Sequence, residues 1–379
     1  GAGGGGTVDS AALDAFAEGV TGATGVLATT ARHILAALDL DVPESAALSD
    51  EEGAETAAVL EAVSAELGAN WPASVAPSFD AARTLLIDDR WATAREDVAR
   101  LANGEELADT VSFRGTGETV ATHAEFRAAR AEEKGDTALA ARFRSIAADA
   151  RSTEPGAFEG RVAVVTGVTP ASIAGGVVGD LLAEGATVVM TASRVSSARL
   201  EFAKKLYREH ASASARIWLA PANLSSYRDI DALVDWIGTE QTETVGPDQK
   251  LIKPALVPDL FLPFAAPSVS GTVEDAGGNA EIQTRLLLWS VERSFTALSR
   301  IGHEADLAHR LHVVLPGSPN RGTFGGDGAY GEVKAAFDAI CNKWSNEPWG
   351  ERVTIAHPRI GWVAGTGLMG GNDPLVDAA

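Results

Sequence analysis

The sequence predicts an α/β protein, a doubly wound parallel sheet preceded by a mainly helical scaffold segment. Three observations lead there. From residue 161 onward, short β-branched apolar runs alternate with stretches of helical periodicity, the pattern of repeated strand–helix units. Before residue 150 the chain is rich in Ala and Glu, and its apolar residues recur at helical spacing. The charge is also uneven: of a net −21, residues 1–150 carry −15 and residues 151–379 only −6. The shift falls near residues 152–160, where Pro155 and Gly156 punctuate the chain. We therefore expect a linker at 1–6, a helical structural segment at 7–150 and the sheet at 151–379.

The opening GAGGGG reads as flexible linker. Residues 11–40, 52–67, 92–101 and 121–150 are expected helices, with 42–55 an exposed acidic loop. In the last helix Phe126, Ala129, Phe143 and Ile146 would share one packed stripe. Residues 161–166 (RVAVVT) form the first strand, apolar on both faces as in a buried parallel sheet. Helix 173–184, strand 187–191, helix 197–209, strand 216–220 and helix 227–238 follow. Strands are expected at 260–264, 311–315 and 353–357, with long helices at 281–301 and 330–344 between them. Trp218, Trp236, Trp289 and Trp344 fall at positions suited to the core or to domain contacts.

Composition excludes several classes. A surface this acidic repels phosphate backbones, so nucleic acid is not an expected partner. The single Cys341 rules out a disulfide framework or a cysteine-rich zinc site. His210, His303, His309, His312 and His357 show no metal-ligand spacing, so no metal is expected. No apolar run of about 18 residues, secretory leader or lipidation signal is evident, which predicts a cytoplasmic protein without a membrane partner.

Three signals carry chemistry. After the first strand comes Thr166-Gly167-Val168-Thr169-Pro170-Ala171-Ser172-Ile173-Ala174. At this turn a nucleotide-binding sheet presents backbone N–H groups and a helix N-terminus to a pyrophosphate. The full glycine fingerprint is absent; only Gly167 remains. The second strand ends in Ala192-Ser193-Arg194, with no carboxylate for the ribose diol of NAD and with an Arg suited to the 2′-phosphate of NADP. The third signal is Tyr330-Gly331-Glu332-Val333-Lys334. Tyr and Lys at i and i+4 share a helix face, so the ammonium would lower the phenol pKa and make Tyr330 a general acid toward a carbonyl. Ser318, at the end of the preceding strand, could donate to the same carbonyl.

Ser318, Tyr330 and Lys334 on such a sheet resemble the short-chain dehydrogenase/reductase superfamily. The strings LPGSPNRGTFG (315–325), GDGAYGEVK (326–334) and IGWVAGTGLM (360–369) are similar to the β-ketoacyl reductase domain of actinobacterial and fungal-type type I fatty acid synthases. TASRVS (191–196) and PFAA (263–266) fit the same domain. The resemblance spans about 158–379; less distinctly, residues near 16–40 resemble the structural half of an acyl-carrier domain.

That resemblance implies NADPH-dependent reduction of 3-oxoacyl thioesters. Tyr330 would protonate the forming alkoxide, Lys334 would hold the nicotinamide ribose, and Ser318 would orient the ketone. Gly167, Ser172 and Ile173 would line the pyrophosphate, Ser193 and Arg194 the 2′-phosphate. Asn223 would lie near the adenine, Ala265 and Ala266 under its ribose, and Ile360, Gly361 and Thr366 over the nicotinamide. Implied partners are an acyl-carrier domain bearing a phosphopantetheine-bound acyl chain, the other synthase domains, and further copies of the chain in a hexamer. Thr169, Ala171 and Ala174 depart from the family's glycines, and Ser290 stands where relatives have an Asn that supports a proton relay. A structural or assembly module, and a free-standing reductase of another ketone, are the other readings the sequence leaves open.

Overall fold

A computed structural model describes residues 58, 61–361 and 363. The expected linker at 1–6, helix at 11–40 and acidic loop at 42–55 lie outside the described residues, as does most of 52–60; residues 61–67 are helical.

Among the described residues seven strands form one sheet. They are β1 (Leu85–Ile87), β2 (Val162–Thr166), β3 (Thr187–Ala192), β4 (Arg216–Pro221), β7 (Leu260–Pro263), β8 (Leu311–Val314) and β9 (Val353–Ala356). Their spatial order is β1-β4-β3-β2-β7-β8-β9. All neighbours are parallel except β1, which runs antiparallel to β4 at the edge. The six parallel strands wind outward in both directions from β2, so the order reverses between β2 and β7. A crevice at their C-terminal ends is the expected ligand position in such a sheet.

Helices cover both faces. On one side lie α4 (Ile173–Ala183) and α5 (Ser197–His210); on the other lie α6 (Tyr227–Gly238), α8 (Ser290–Leu298) and α9 (Tyr330–Trp344). Strand residues alternate strictly between the two cores. Val162 and Val164 pack with Trp236, Phe295 and Phe337, while Ala163 and Val165 pack with Val178, Leu182 and Leu206. Each such fully buried large side chain contributes about 1.5–3 kcal/mol of hydrophobic stabilisation. Ser172, Ser196 and Ser226 cap α4, α5 and α6 through their hydroxyls, which fixes where each helix begins.

A third core belongs to α1 (Arg90–Ala102), α2 (Glu118–Glu133) and α3 (Thr137–Arg151). The stretch 121–150, expected to be helical, forms two helices. Gly135 takes a left-handed φ of 77° and Asp136 caps α3 by accepting from Leu139 N, so the chain reverses. The packed stripe is also corrected. Phe143 and Ile146 are buried, but α2 turns Val120, Ala121, Ala124, Ala128 and Ala131 inward and leaves Phe126 and Ala129 exposed. Trp218 and Trp236 are core residues stacked edge to face, whereas Trp289 and Trp344 stand about 40% exposed on their helices.

Among the described elements not expected from the sequence, three are of note. One is edge strand β1, taken from the N-terminal segment. A second is the hairpin β5 (Gln241–Val245) and β6 (Asp248–Lys253). The third is a π-helical turn, Arg285–Trp289, which separates α7 (Gly278–Thr284) from α8 within the expected helix 281–301. π turns occur often at functional sites.

Candidate active site

The crevice at the C-terminal ends of β2 and β7 opens into a cavity of about 1140 Å³. Its first wall is the turn after β2. Gly167 has φ 73°, and a Cβ there would stand 2.5 Å from Ala265 N and the Phe264 carbonyl, so no side chain fits. One hydroxyl closes the turn: Ser172 Oγ accepts from Thr169 N (3.1 Å) and Gly175 N (3.0 Å) and donates to Thr169 O (2.7 Å). Ala171 holds a left-handed φ of 53°, a conformation that favours glycine. Thus one of the departures noted in the sequence is accommodated with local strain. The start of α4, with Ile173 and Ala174, faces the same space.

Gly167, Ser172, Ile173, Ser193, Asn223, Ala265, Ala266, Ser318, Tyr330, Lys334, Ile360 and Gly361 all line this cavity. Arg194 does not; it is exposed beyond the end of β3. Thr366 lies outside the described residues. Asn223 reaches the wall with its head occupied, because its Nδ2 donates to Ser74 O and Ala76 O (both 2.8 Å) and its Oδ1 accepts from Ser225 N. A segment preceding β1 therefore braces this end of the cavity.

At the opposite end Tyr330 opens α9 and Lys334 follows one turn later. Lys334 is almost fully buried, its Nζ donating to Pro316 O at 2.6 Å and standing 5.2 Å from the centre of the Tyr330 ring. Burial pushes its pKa down to about 8. The Tyr330 phenol moves in the direction opposite to expectation. Burial raises its pKa, a hydrogen bond from Ser318 opposes that rise, and the Asp327 carboxylate adds to it. The Lys334 ammonium is bonded to Pro316 O and stands against the ring, and burial of the phenol outweighs the lowering expected from the i, i+4 pair. The phenol is consequently protonated at neutral pH, the state a general acid needs.

Several residues at or beneath the cavity were not among the expected site residues. Asp327, buried, holds Asn320 Nδ2 at 3.2 Å and supplies the carbonyl that accepts from Tyr330 N. Gln283 is wholly buried beneath the loop that leads into α9. Its Nε2 donates to Ser268 O and Ser270 O, and its Oε1 accepts from Ala329 N at 2.7 Å. Leu286 and Leu287 reach the cavity together from the π turn. Arg199, from the first turn of α5, lines the wall beside the β2 turn and donates to Val168 O at 2.6 Å. Ser290, immediately after the π turn, is buried with its hydroxyl unpartnered and does not line the cavity. Gln283, Leu286, Leu287 and Arg199 sit in no motif, and only their positions in space reveal them; Asp327 lies within the string 326–334.

Fold and site together define the class: a doubly wound, Rossmann-type sheet with a Ser, a Tyr and a Lys gathered on its cavity. No family model matches the chain. It is similar to the fatty acid synthase alpha subunit hexA of Dothistroma septosporum, 35% identical over 223 residues, or 58% of this chain and 12% of that protein. The alpha subunit of Saccharomyces cerevisiae is 30% identical over 291 residues, 74% of this chain and 15% of the relative. The chain is a homologue of one segment of the fungal fatty acid synthase alpha subunits, and it spans only about an eighth of their length. Among solved structures it is similar to the Pseudomonas aeruginosa RhlG/NADP active-site complex, with 22% identity and a TM-score of 0.44 over 57% of this chain and 78% of that one. The fold assignment rests on the strand order itself.

Proposed function

We propose that the chain is an NADPH-dependent reductase of 3-oxoacyl thioesters, acting as one segment of a fatty acid synthase in which a carrier domain presents the acyl chain. The observation that carries this reading is the convergence of Ser318, Tyr330 and Lys334 on the same cavity as the β2 turn. The residues present fit a dinucleotide. Gly167 makes the tight turn on the cavity wall, the N-terminus of α4 faces the cavity, and the volume suits a ligand of that size. No carboxylate at the end of β3 is available to a ribose diol.

Gly167, Ser172, Ile173 and Ser193 would hold bound NADPH, which would supply the hydride for reduction of the C3 ketone. Ser318 donates a hydrogen bond to the ketone oxygen and fixes its position. Tyr330 gives its phenolic proton to that oxygen as the carbonyl becomes an alcohol. Lys334 holds its ammonium beside the resulting phenolate and favours it electrostatically. Val269, Leu286 and Leu287 form an apolar wall suited to the acyl chain. Among the described residues no helix is long and apolar enough to cross a membrane.

The test is oxidation of NADPH in the presence of an acetoacetyl thioester. Tyr330→Phe is expected to lower kcat by about 10²–10⁴ while leaving the NADPH Kd nearly unchanged. Unchanged turnover in that variant would overturn the assigned chemistry.

A further inference from the structure

We infer that Arg199, rather than Arg194, binds the 2′-phosphate of the cofactor and sets the preference for NADPH over NADH. This rests on the dinucleotide-reductase reading above and adds to it the residue that selects the cofactor.

Three charged side chains line the described cavity: Asp327 and Lys334 beside Tyr330, and Arg199 beside the β2 turn. Lys334 is committed to the end of β8 through Pro316 O. The turn and the end of β3, where an adenosine half would lie, are therefore served by a single lining cation. Arg194 is adjacent in sequence to Ser193, yet it is exposed and lies outside the lining.

The local structure explains the exchange. Ser196 Oγ accepts from Arg199 N at 3.2 Å and starts α5, which places Arg199 in the first turn of that helix. From there the side chain reaches back across the end of the sheet, and Nη1 donates to Val168 O at 2.6 Å. The guanidinium is held half-buried on the wall between the β2 turn and Ser193. A guanidinium carries five N–H donors in a rigid plane, and one is used by Val168 O. Among the described residues no carboxylate pairs with Arg199. An unpaired, positioned guanidinium facing a cavity is suited to bidentate contact with a phosphate.

The experiment is equilibrium titration of the 379-residue chain with NADPH and, separately, NADH. It compares wild type, Arg199→Gln, Arg199→Lys and Arg194→Gln, with circular dichroism verifying that each is folded. Loss of a charged hydrogen bond predicts an NADPH Kd raised about 10- to 100-fold in Arg199→Gln. The NADH Kd should change less than about threefold. Arg199→Lys should recover part of the discrimination, and Arg194→Gln should leave it within about threefold of wild type. Equal weakening of both cofactors in Arg199→Gln would mean that the side chain only supports the turn, and the proposal would fall. It would also fall if Arg194→Gln caused the larger selective loss. A wild-type chain that binds neither cofactor would remove the reductase reading and this proposal together; NADPH binding with discrimination untouched in Arg199→Gln would remove this proposal alone.

Discussion

In its proposed role beside Tyr330, Lys334 serves function at the expense of the fold. Its folded pKa, about 8, lies below the ordinary lysine value of 10.5 because burial penalises the charged form. The unfolded chain therefore holds more protons between pH 8 and 10.5, and stability rises with pH across that window. The contribution is complete above 10.5 and is lost as pH falls through 8. Lys334→Met has no such group, so its stability relative to wild type should be greatest at pH 7 and shrink steadily from pH 8 to 10.5. Urea unfolding of both proteins at pH 7, 8.5 and 10 checks this, and a pH-independent difference would contradict it. The same variant should lose most of its reductase turnover, since no cation remains beside Tyr330. At this scale the sequence was legible where chemistry follows a fixed spacing: Tyr330 and Lys334 share a helix face because i and i+4 must. It was not legible where a side chain reaches across the fold. Arg199 looks like any solvated helix residue, and only the contact with Val168 O reveals its direction.

At the scale of elements, the parallel strands and their covering helices could be read almost to the residue, because burial on both faces forces continuous β-branched runs such as VAVVT. The hairpin β5–β6 escaped because it is largely exposed and polar, and so presents no alternating apolar signal. Strand β1 has only three residues. The π turn leaves no trace in periodicity, since one inserted residue per turn merely shifts the stripe by about 100°. Yet this region sets the start of α9. Gln283, on the helix that leads into the π turn, bonds Ser268 O, Ser270 O and Ala329 N, and so joins the loop over the cavity to the residue before Tyr330. Gln283→Ala leaves the Ala329 N–H without its partner in a part-buried setting, which costs about 1–3 kcal/mol. The expected outcome is a lower Tm and a kcat reduced about tenfold, with the NADPH Kd within a factor of two, since the β2 turn lies at the other end of the cavity. Stopped-flow reduction and thermal melts would report both. A variant with the Tm loss but full kcat would show that Gln283 acts on stability alone.

Across the whole molecule, the composition shift near residues 152–160 separates two chemistries, but contacts cross it repeatedly. The N-terminal segment contributes β1 to the sheet edge. Its helix α1 carries the buried Arg90–Asp97 ion pair, and Arg208 of α5 also engages Asp97 at 2.8 Å. Arg90 N donates to the hydroxyl of Tyr207, which in turn donates to Ala215 O. The most consequential link is Asp229, a buried carboxylate in the first turn of α6. It accepts from Ser78 N, Phe79 N and Asn223 N, so one side chain fastens the segment before β1 to the loop that walls the cavity. The sequence concealed this role because an Asp three residues after Ser226 reads as an ordinary first-turn acid. Asp229→Ala leaves three backbone N–H groups without their partner, and the expected loss is about 3 kcal/mol of stability. It should also weaken NADPH binding several-fold, because Asn223, Leu224 and Ser225 lose their brace while the β2 turn is untouched. Chemical denaturation and cofactor titration of Asp229→Ala and Asp229→Asn would separate the two effects. If Asp229→Ala lost stability but bound NADPH as tightly as wild type, the N-terminal segment would be a support for the sheet and no part of the cofactor wall.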